Sequence, residues 1–307
     1  MRSTLRRTTT VLAGITALSL GLAACGGGGT DAGGDSDDGA GTGDDLDTVT
    51  IGIPAGWDEG VAVSYLWKAV LENNGYTVEV EDADIGVVFT SVAGGGYDLM
   101  FDAWLPVTHE DLVAEYGEQL EDLGSWYEGA ALTIAVNEDS PAQSIADLAS
   151  MSDEYGNRLV GIDAGAGLTR ITQEEVIPTY ELEGMEFVIS STAAMLAELQ
   201  GATDSGDNIA VTLWRPHWAY DAYPIRDLED PEATLGDSEE IHTFGRLGFG
   251  EDFPQFAGWL ENFTLTDEQL ASLENLMLNE NGGTDNDASA QQWLEDNPDF
   301  VESVTGA

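Results

Sequence analysis

The chain has 307 residues, with 58 Asp and Glu against 9 Lys and Arg, a formal net charge of −49 and one cysteine. A surface this acidic excludes nucleic acid as a partner and excludes direct adhesion to anionic lipid, because both repel it. A single cysteine excludes an intrachain disulfide, and the length is enough for two lobes of ordinary domain size.

In chain order, Arg2, Arg6 and Arg7 precede an apolar run from Val11 to Leu22, which is too short to span a bilayer comfortably. It ends in Leu22-Ala23-Ala24-Cys25, small residues that resemble the lipobox of bacterial lipoproteins. Residues 1–24 are therefore expected to be a lipoprotein signal peptide, with Cys25 cleaved to the N-terminus and lipidated. Residues 25–47 are nearly all Gly, Asp, Ser, Thr and Ala, a flexible acidic tether that cannot bury enough apolar surface to offset its ordering entropy. No later stretch reads as transmembrane, so the expected location is extracytoplasmic, anchored to the cell membrane by lipid.

From Thr48 onward, short β-rich runs alternate with helical patterns, which predicts an α/β body with mainly parallel sheets. The predicted strands are 49–53, 77–80, 98–101, 132–136, 159–162, 186–189 and 209–213. A helix is predicted over 61–71, opened by Asp58 and Glu59, whose charges suit the N-terminal dipole. Ser144-Ile145-Ala146-Asp147 and Thr266-Asp267-Glu268-Gln269 read as capping boxes, and the tail from Phe253 to Val301 reads as helical. The chain is expected to build lobe I from 48–136 and 223–307 and lobe II from 137–222, with a small ligand in the cleft between them.

Three tryptophans, Trp57, Trp104 and Trp214, follow predicted strands closely, at the strand ends where α/β folds bind ligands. Their faces could surround a quaternary ammonium group, which makes no ordinary hydrogen bonds and is held by dispersion and cation–π attraction; the alternative is that all three are core residues. His109, five residues beyond Trp104, offers a donor for an anion. In Gly161-Ile162-Asp163-Ala164-Gly165-Ala166-Gly167-Leu168-Thr169-Arg170 a strand runs through a glycine-rich turn into a helix. That turn is either an anion site of exposed N–H groups or a tight strand-to-helix connection. Its glycine spacing is not a dinucleotide fingerprint, and the Gly-Lys-Ser/Thr ending of a P-loop is missing. The histidines His109, His217 and His242 are scattered and no Gly-x-Ser-x-Gly elbow is present, so no catalytic residue, metal or cofactor is expected.

Taken together, Asp102-Ala103-Trp104-Leu105-Pro106-Val107-Thr108-His109, Gly161-Ile162-Asp163 with Gly165-Ala166-Gly167, and Trp214-Arg215-Pro216-His217-Trp218 resemble motifs of the glycine betaine binding proteins of osmoprotectant ABC transporters. So do Trp57-Asp58-Glu59-Gly60-Val61-Ala62, Asp122-Leu123-Gly124-Ser125-Trp126-Tyr127 and Glu240-Ile241-His242-Thr243. The likeness runs in order from Thr48 to Val301. It implies a two-lobed periplasmic-binding-protein fold of type II that closes on glycine betaine or proline betaine and serves an ABC permease and its ATPase. It also implies a trimethylammonium cage of Trp57, Trp104 and Trp214, and a carboxylate held by His109 and the backbone N–H groups of Gly167 and Leu168. Arg215 departs from the pattern; it could reach the carboxylate or pair with a surface acid. Competing expectations are a receptor for choline, carnitine or ectoine, a sensory receptor on the same fold, and an extracellular lipoprotein enzyme acting on a quaternary amine.

The acidity fits an exported protein facing high salt, where screening shortens the reach of self-repulsion. The melting temperature is expected to rise from low to molar salt; equal melting in both would remove the halophilic reading.

Overall fold

The computed structural model describes residues 48–306. The signal-peptide and tether expectations, with Cys25, lie outside the described residues. Nine strands form one continuous sheet: β1 (Thr48–Pro54), β2 (Thr77–Ala83), β3 (Leu99–Leu105), β4 (Leu120–Asn137), β5 (Arg158–Val160), β6 (Glu186–Val188), β7 (Ala210–Arg215), β8 (Ile225–Asp227) and β9 (Glu239–Arg246). Their order is β2-β1-β3-β9-β4-β7-β5-β6, with β8 paired to β4. The pivot is β4: Leu120 to Ala130 pair with β9, and Ala131 to Val136 pair with β7. One strand thus carries the chain from the sheet half around β1 to the half around β5.

The expected predominance of parallel pairing is corrected. Pairs β1–β2, β1–β3, β5–β6 and β5–β7 are parallel, whereas β9 and β7 both run antiparallel to β4, as does β8. The antiparallel pairing of β7 with β4 joins two predicted strands and that of β8 adds an unpredicted one; the rest comes from β9 and the first part of β4, neither of which was predicted. Their sequences, Glu-Glu-Ile-His-Thr-Phe-Gly-Arg and Leu-Glu-Asp-Leu-Gly-Ser-Trp-Tyr-Glu-Gly, mix acids and glycines into the run. Register shifts along both break the period-two alternation that identifies a strand.

Four helices bear on the site: α1 (Asp58–Asn73), α2 (Ile85–Ala93), α3 (Glu110–Tyr116) and α4 (Gly167–Ile171). The helix α1 buries Val63, Leu66, Trp67 and Val70 against β1 and β3. At its centre Trp67 stacks on Phe101 with centroids 6.0 Å apart and meets Phe263 edge-on at 5.1 Å. The capping boxes at Ser144 and Thr266 both form. After β9 the chain is helical, as expected, through Pro254–Leu260, Asp267–Glu274, Asn286–Asp296 and Pro298–Thr305. Among the described residues no helix is long and apolar enough to cross a membrane.

Candidate functional site

The carboxyl ends of β1, β3 and β7 point into one region, and each delivers a tryptophan to it. Trp57 caps the start of α1 just after β1, Trp104 is the penultimate residue of β3, and Trp214 holds the same place in β7. All three are almost fully buried. With Glu59, Thr108, Leu132, Ile162, Ala166 and Leu168 they line a cavity with about 270 Å³ of empty space. No Lys or Arg lines it, so the walls are aromatic faces, aliphatic carbons and one acidic side chain.

Each indole N–H is tied to a carboxylate. Trp104 Nε1 donates to Asp102 Oδ1 at 2.8 Å and Trp214 Nε1 to Glu59 Oε2 at 2.9 Å, while Trp57 Nε1 reaches Asp163 Oδ2 at 3.4 Å. A hydrogen bond to a buried acid fixes the plane of a ring and leaves its face free. Two of these bonds, Trp57 to Asp163 and Trp214 to Glu59, join the β1 half of the molecule to the β5 half.

His109 and Gly167 are not among the residues that line this cavity. Both border a wider groove with Asp111, Gly165 and Arg170, and Thr108 and Ala166 belong to both spaces. Trp104 donates its backbone N–H to His109 Nδ1 at 2.8 Å, and the His109 backbone N–H donates back to the Trp104 carbonyl at 3.1 Å. The His109 ring lies parallel to that of Trp57, with centroids 5.4 Å apart. Because Nδ1 accepts, the ring proton belongs on Nε2, which is buried and has no hydrogen-bond partner among the described residues. Glu239 holds the loop rigid by accepting from the backbone N–H groups of Val107 and Thr108, each at 2.8 Å, and from the Thr108 hydroxyl. Gly167 fits only as glycine: a Cβ there would stand 2.2 Å from the Thr108 carbonyl oxygen. Arg170, one turn on, forms an ion pair with Asp111 at 3.2 Å.

The structure therefore brings Trp57, Trp104, Trp214 and Leu168 to one cavity and sets His109 and Gly167 at its border. Arg215 turns away, pairing with Asp227 at 2.7 Å over the face of Tyr220. Sequence reasoning missed Glu59, Asp102 and Glu274 as parts of this region. Glu59 reads as a helix-dipole residue, and Asp102 and Glu274 are lost among so many acids. Gly60 was the available signal for Asp102: α1 packs so tightly there that a Cβ would lie 2.3 Å from Asp102 Oδ2.

Residues 47–296 match the family model described as the substrate binding domain of ABC-type glycine betaine transport systems. The chain is similar to the glycine betaine/carnitine transport binding protein GbuC of Listeria monocytogenes (serotype 1/2a, strain 10403S), 37% identical over 157 residues that cover 50% of this chain and 51% of GbuC. It thus spans about half the length of that curated relative. Lactococcal OpuAC, solved closed with glycine betaine, superposes with a TM-score of 0.76 at 29% identity, covering 83% of this chain and 98% of the other. An ABC-transporter choline binding protein solved with choline gives 0.76 at 27%, covering 84% and 91%.

Burial sets the charge states around the cavity. It raises Asp58 to about 6 and Asp102 to about 7, although hydrogen bonds from Trp218 and Trp104 act the other way. It raises Glu59 and Glu274 well above the carboxylate range, helped by the acids around each. Burial lowers His109 to about 3, with the Arg170 charge adding, and lowers His217 to about 3. An acid raised on folding stabilises the fold below its unfolded value, and that contribution is lost as pH rises through the folded value. For Asp58 and Asp102 the window opens at 3.8 and closes at about 6 and 7. The two imidazoles act oppositely, losing stability as pH falls from 6.5 towards 3. Four raised acids outweigh two lowered imidazoles, so the melting temperature should be higher at pH 5.5 than at pH 8, and Glu274→Gln should shrink the difference. A lower melting temperature at pH 5.5 in the unmodified protein contradicts this assignment of charge.

Proposed function

The chain belongs to the family of substrate-binding domains of ABC-type glycine betaine transport systems, and on that basis we propose that it captures glycine betaine, or a close relative such as proline betaine, and delivers it to an ABC permease and its ATPase. Members of this family are transport binding proteins, not enzymes, and a receptor of an ABC importer is extracytoplasmic. The observation that carries the ligand reading is the convergence of three indoles on a cavity without Lys or Arg, each anchored by its N–H so that the ring face is left for the ligand. A trimethylammonium group enclosed there gains roughly 0.5 to 2 kcal/mol per well-placed ring.

The carboxylate end of the ligand is assigned to His109 and to the backbone N–H groups of Gly167 and Leu168. The buried, unpartnered Nε2–H of a neutral His109 supports this, because such a donor is costly unless something accepts from it. The approach of Gly167 to Thr108 supports a backbone contact at the same border. The proposed lobes are 48–136 with 223–307, carrying Trp57, Trp104 and His109, and 137–222, carrying Trp214, Gly167 and Leu168. A ligand touching both favours the closed arrangement. Lipid on Cys25 is the proposed membrane attachment, supported by Leu22-Ala23-Ala24-Cys25 alone.

Choline is the second reading, since the cage suits any trimethylammonium compound and a choline binding protein is among the structural neighbours. The His109 donor favours betaine, because choline has no carboxylate to meet it; carnitine and ectoine are further competitors. Calorimetric titration should show betaine binding more tightly than choline, with Trp57→Ala and Trp104→Ala each weakening betaine by about 0.5 to 2 kcal/mol while circular dichroism stays unchanged. Tighter choline binding rejects the ligand assignment, and unchanged affinity in both variants removes the cage.

A further inference from the structure

Behind two of the cage rings stand two buried carboxylates. Glu59 Oε2 accepts from Trp214 and itself lines the cavity, while Asp102 Oδ1 accepts from Trp104. They come from neighbouring elements, α1 and β3, pressed together where Gly60 meets Asp102 Oδ2. That oxygen is buried and has no hydrogen-bond partner among the described residues. An ionised carboxylate oxygen in such a place is costly, and a protonated one much less so. The charged neighbours that act on Glu59 are acids, and Arg170, the cation of the adjoining groove, acts on His109. Glu274, buried on the helix Asp267–Glu274, acts on Glu59 together with Asp102, and Asp58 and Asp221 act on Glu274. Asp58, on α1 itself, is engaged by Trp218 Nε1, and the nearby imidazoles of His109 and His217 are neutral.

We propose that Glu59 and Asp102 form the proton-exchanging counter-charge of the cage: a quaternary ammonium entering between the rings replaces a proton that the pair holds in the empty closed site, so binding releases a proton and affinity rises with pH. The proposal rests on the betaine-class reading of the cavity. The step is a deprotonation, in which a carboxyl O–H breaks, the electron pair stays on oxygen and the proton passes to a buffer base. A fixed cation within reach of an acid favours its ionised form. The ionised acid then accepts a stronger hydrogen bond from its indole, which drives electron density towards the face that the cation meets. Burial supports the assignment by bringing the Asp102 titration to about 7 and keeping Glu59 well above the ordinary carboxylate range. In this scheme both acids are positioning residues for their rings and set the charge preference of the site.

Calorimetry with glycine betaine, from pH 5.5 to 8.5 in pairs of buffers of different ionisation enthalpy, tests it on the full chain. The expected result is a buffer-dependent enthalpy that reports up to one proton released, with affinity rising by as much as about tenfold per pH unit where release is complete. Glu59→Gln and Asp102→Asn keep an acceptor for each indole and should flatten that profile. Betaine binding with a buffer-independent enthalpy throughout, or variants whose pH profile matches that of the unmodified protein, overturns the proton exchange and leaves the cage standing. Failure of both betaine and choline to bind at any pH overturns the cage itself, and this proposal with it. The unmodified protein alone decides the question if a variant does not fold.

Discussion

Trp214 donates its indole N–H to Glu59 across 2.9 Å of buried interior, and through that bond the start of α1 meets the end of β7. These elements belong to different halves of the sheet, so the contact orients a ring and joins the halves at once. A buried donor left without its acceptor costs about 1 to 3 kcal/mol, more than the exposed ion pairs at the same border contribute. Arg170 and Asp111 form such a pair, with the Asp111 side chain 73% exposed, and pairs of that kind contribute about 0 to 1 kcal/mol. The indole bonds, together with the Gly167–Thr108 approach, therefore tie the two halves of the sheet together more than the surface charges do.

The same constraint explains why the region is acidic but not obviously so. A tryptophan buried to its N–H needs an acceptor, and a carboxylate gives the ring a fixed plane while adding negative potential behind it. Asp102, Glu59 and Asp163 fill that role for the three rings. On the other side the loop after β3 is held by Glu239, which leaves His109 no freedom to change tautomer while its Nδ1 accepts from Trp104. One border of the cavity is thus suited to a cation and the other offers a neutral donor, the two needs of a zwitterion. In the proposed reading the first border takes the trimethylammonium group of betaine or choline, and the second separates the two.

The three tryptophans of the cavity were legible in the sequence because each lies at the end of a recognisable β-rich run, and the glycine-rich turn because it links a strand to a helix. Trp104 and Trp214 proved to be inside their strands, which run on to Leu105 and Arg215 where the predicted ones end at 101 and 213. The capping boxes were legible because their chemistry is local. Strand β9 and the first part of β4 were not, since register shifts interrupt their alternation. Glu59, Asp102 and Glu274 were hidden for a different reason: in a chain with 58 acids, nothing local separates a carboxylate that will be buried from those that stay in water. Only packing makes that distinction, and Gly60 was its one trace in the sequence.

A crystal structure of the protein grown with glycine betaine puts the two-ended site to the sharpest test. The trimethylammonium group should be enclosed by the rings of Trp57, Trp104 and Trp214, with the carboxylate accepting from His109 Nε2 and from the backbone at Gly167 and Leu168. Betaine lodged elsewhere, or turned so that its carboxylate faces the three rings, would contradict the assignment.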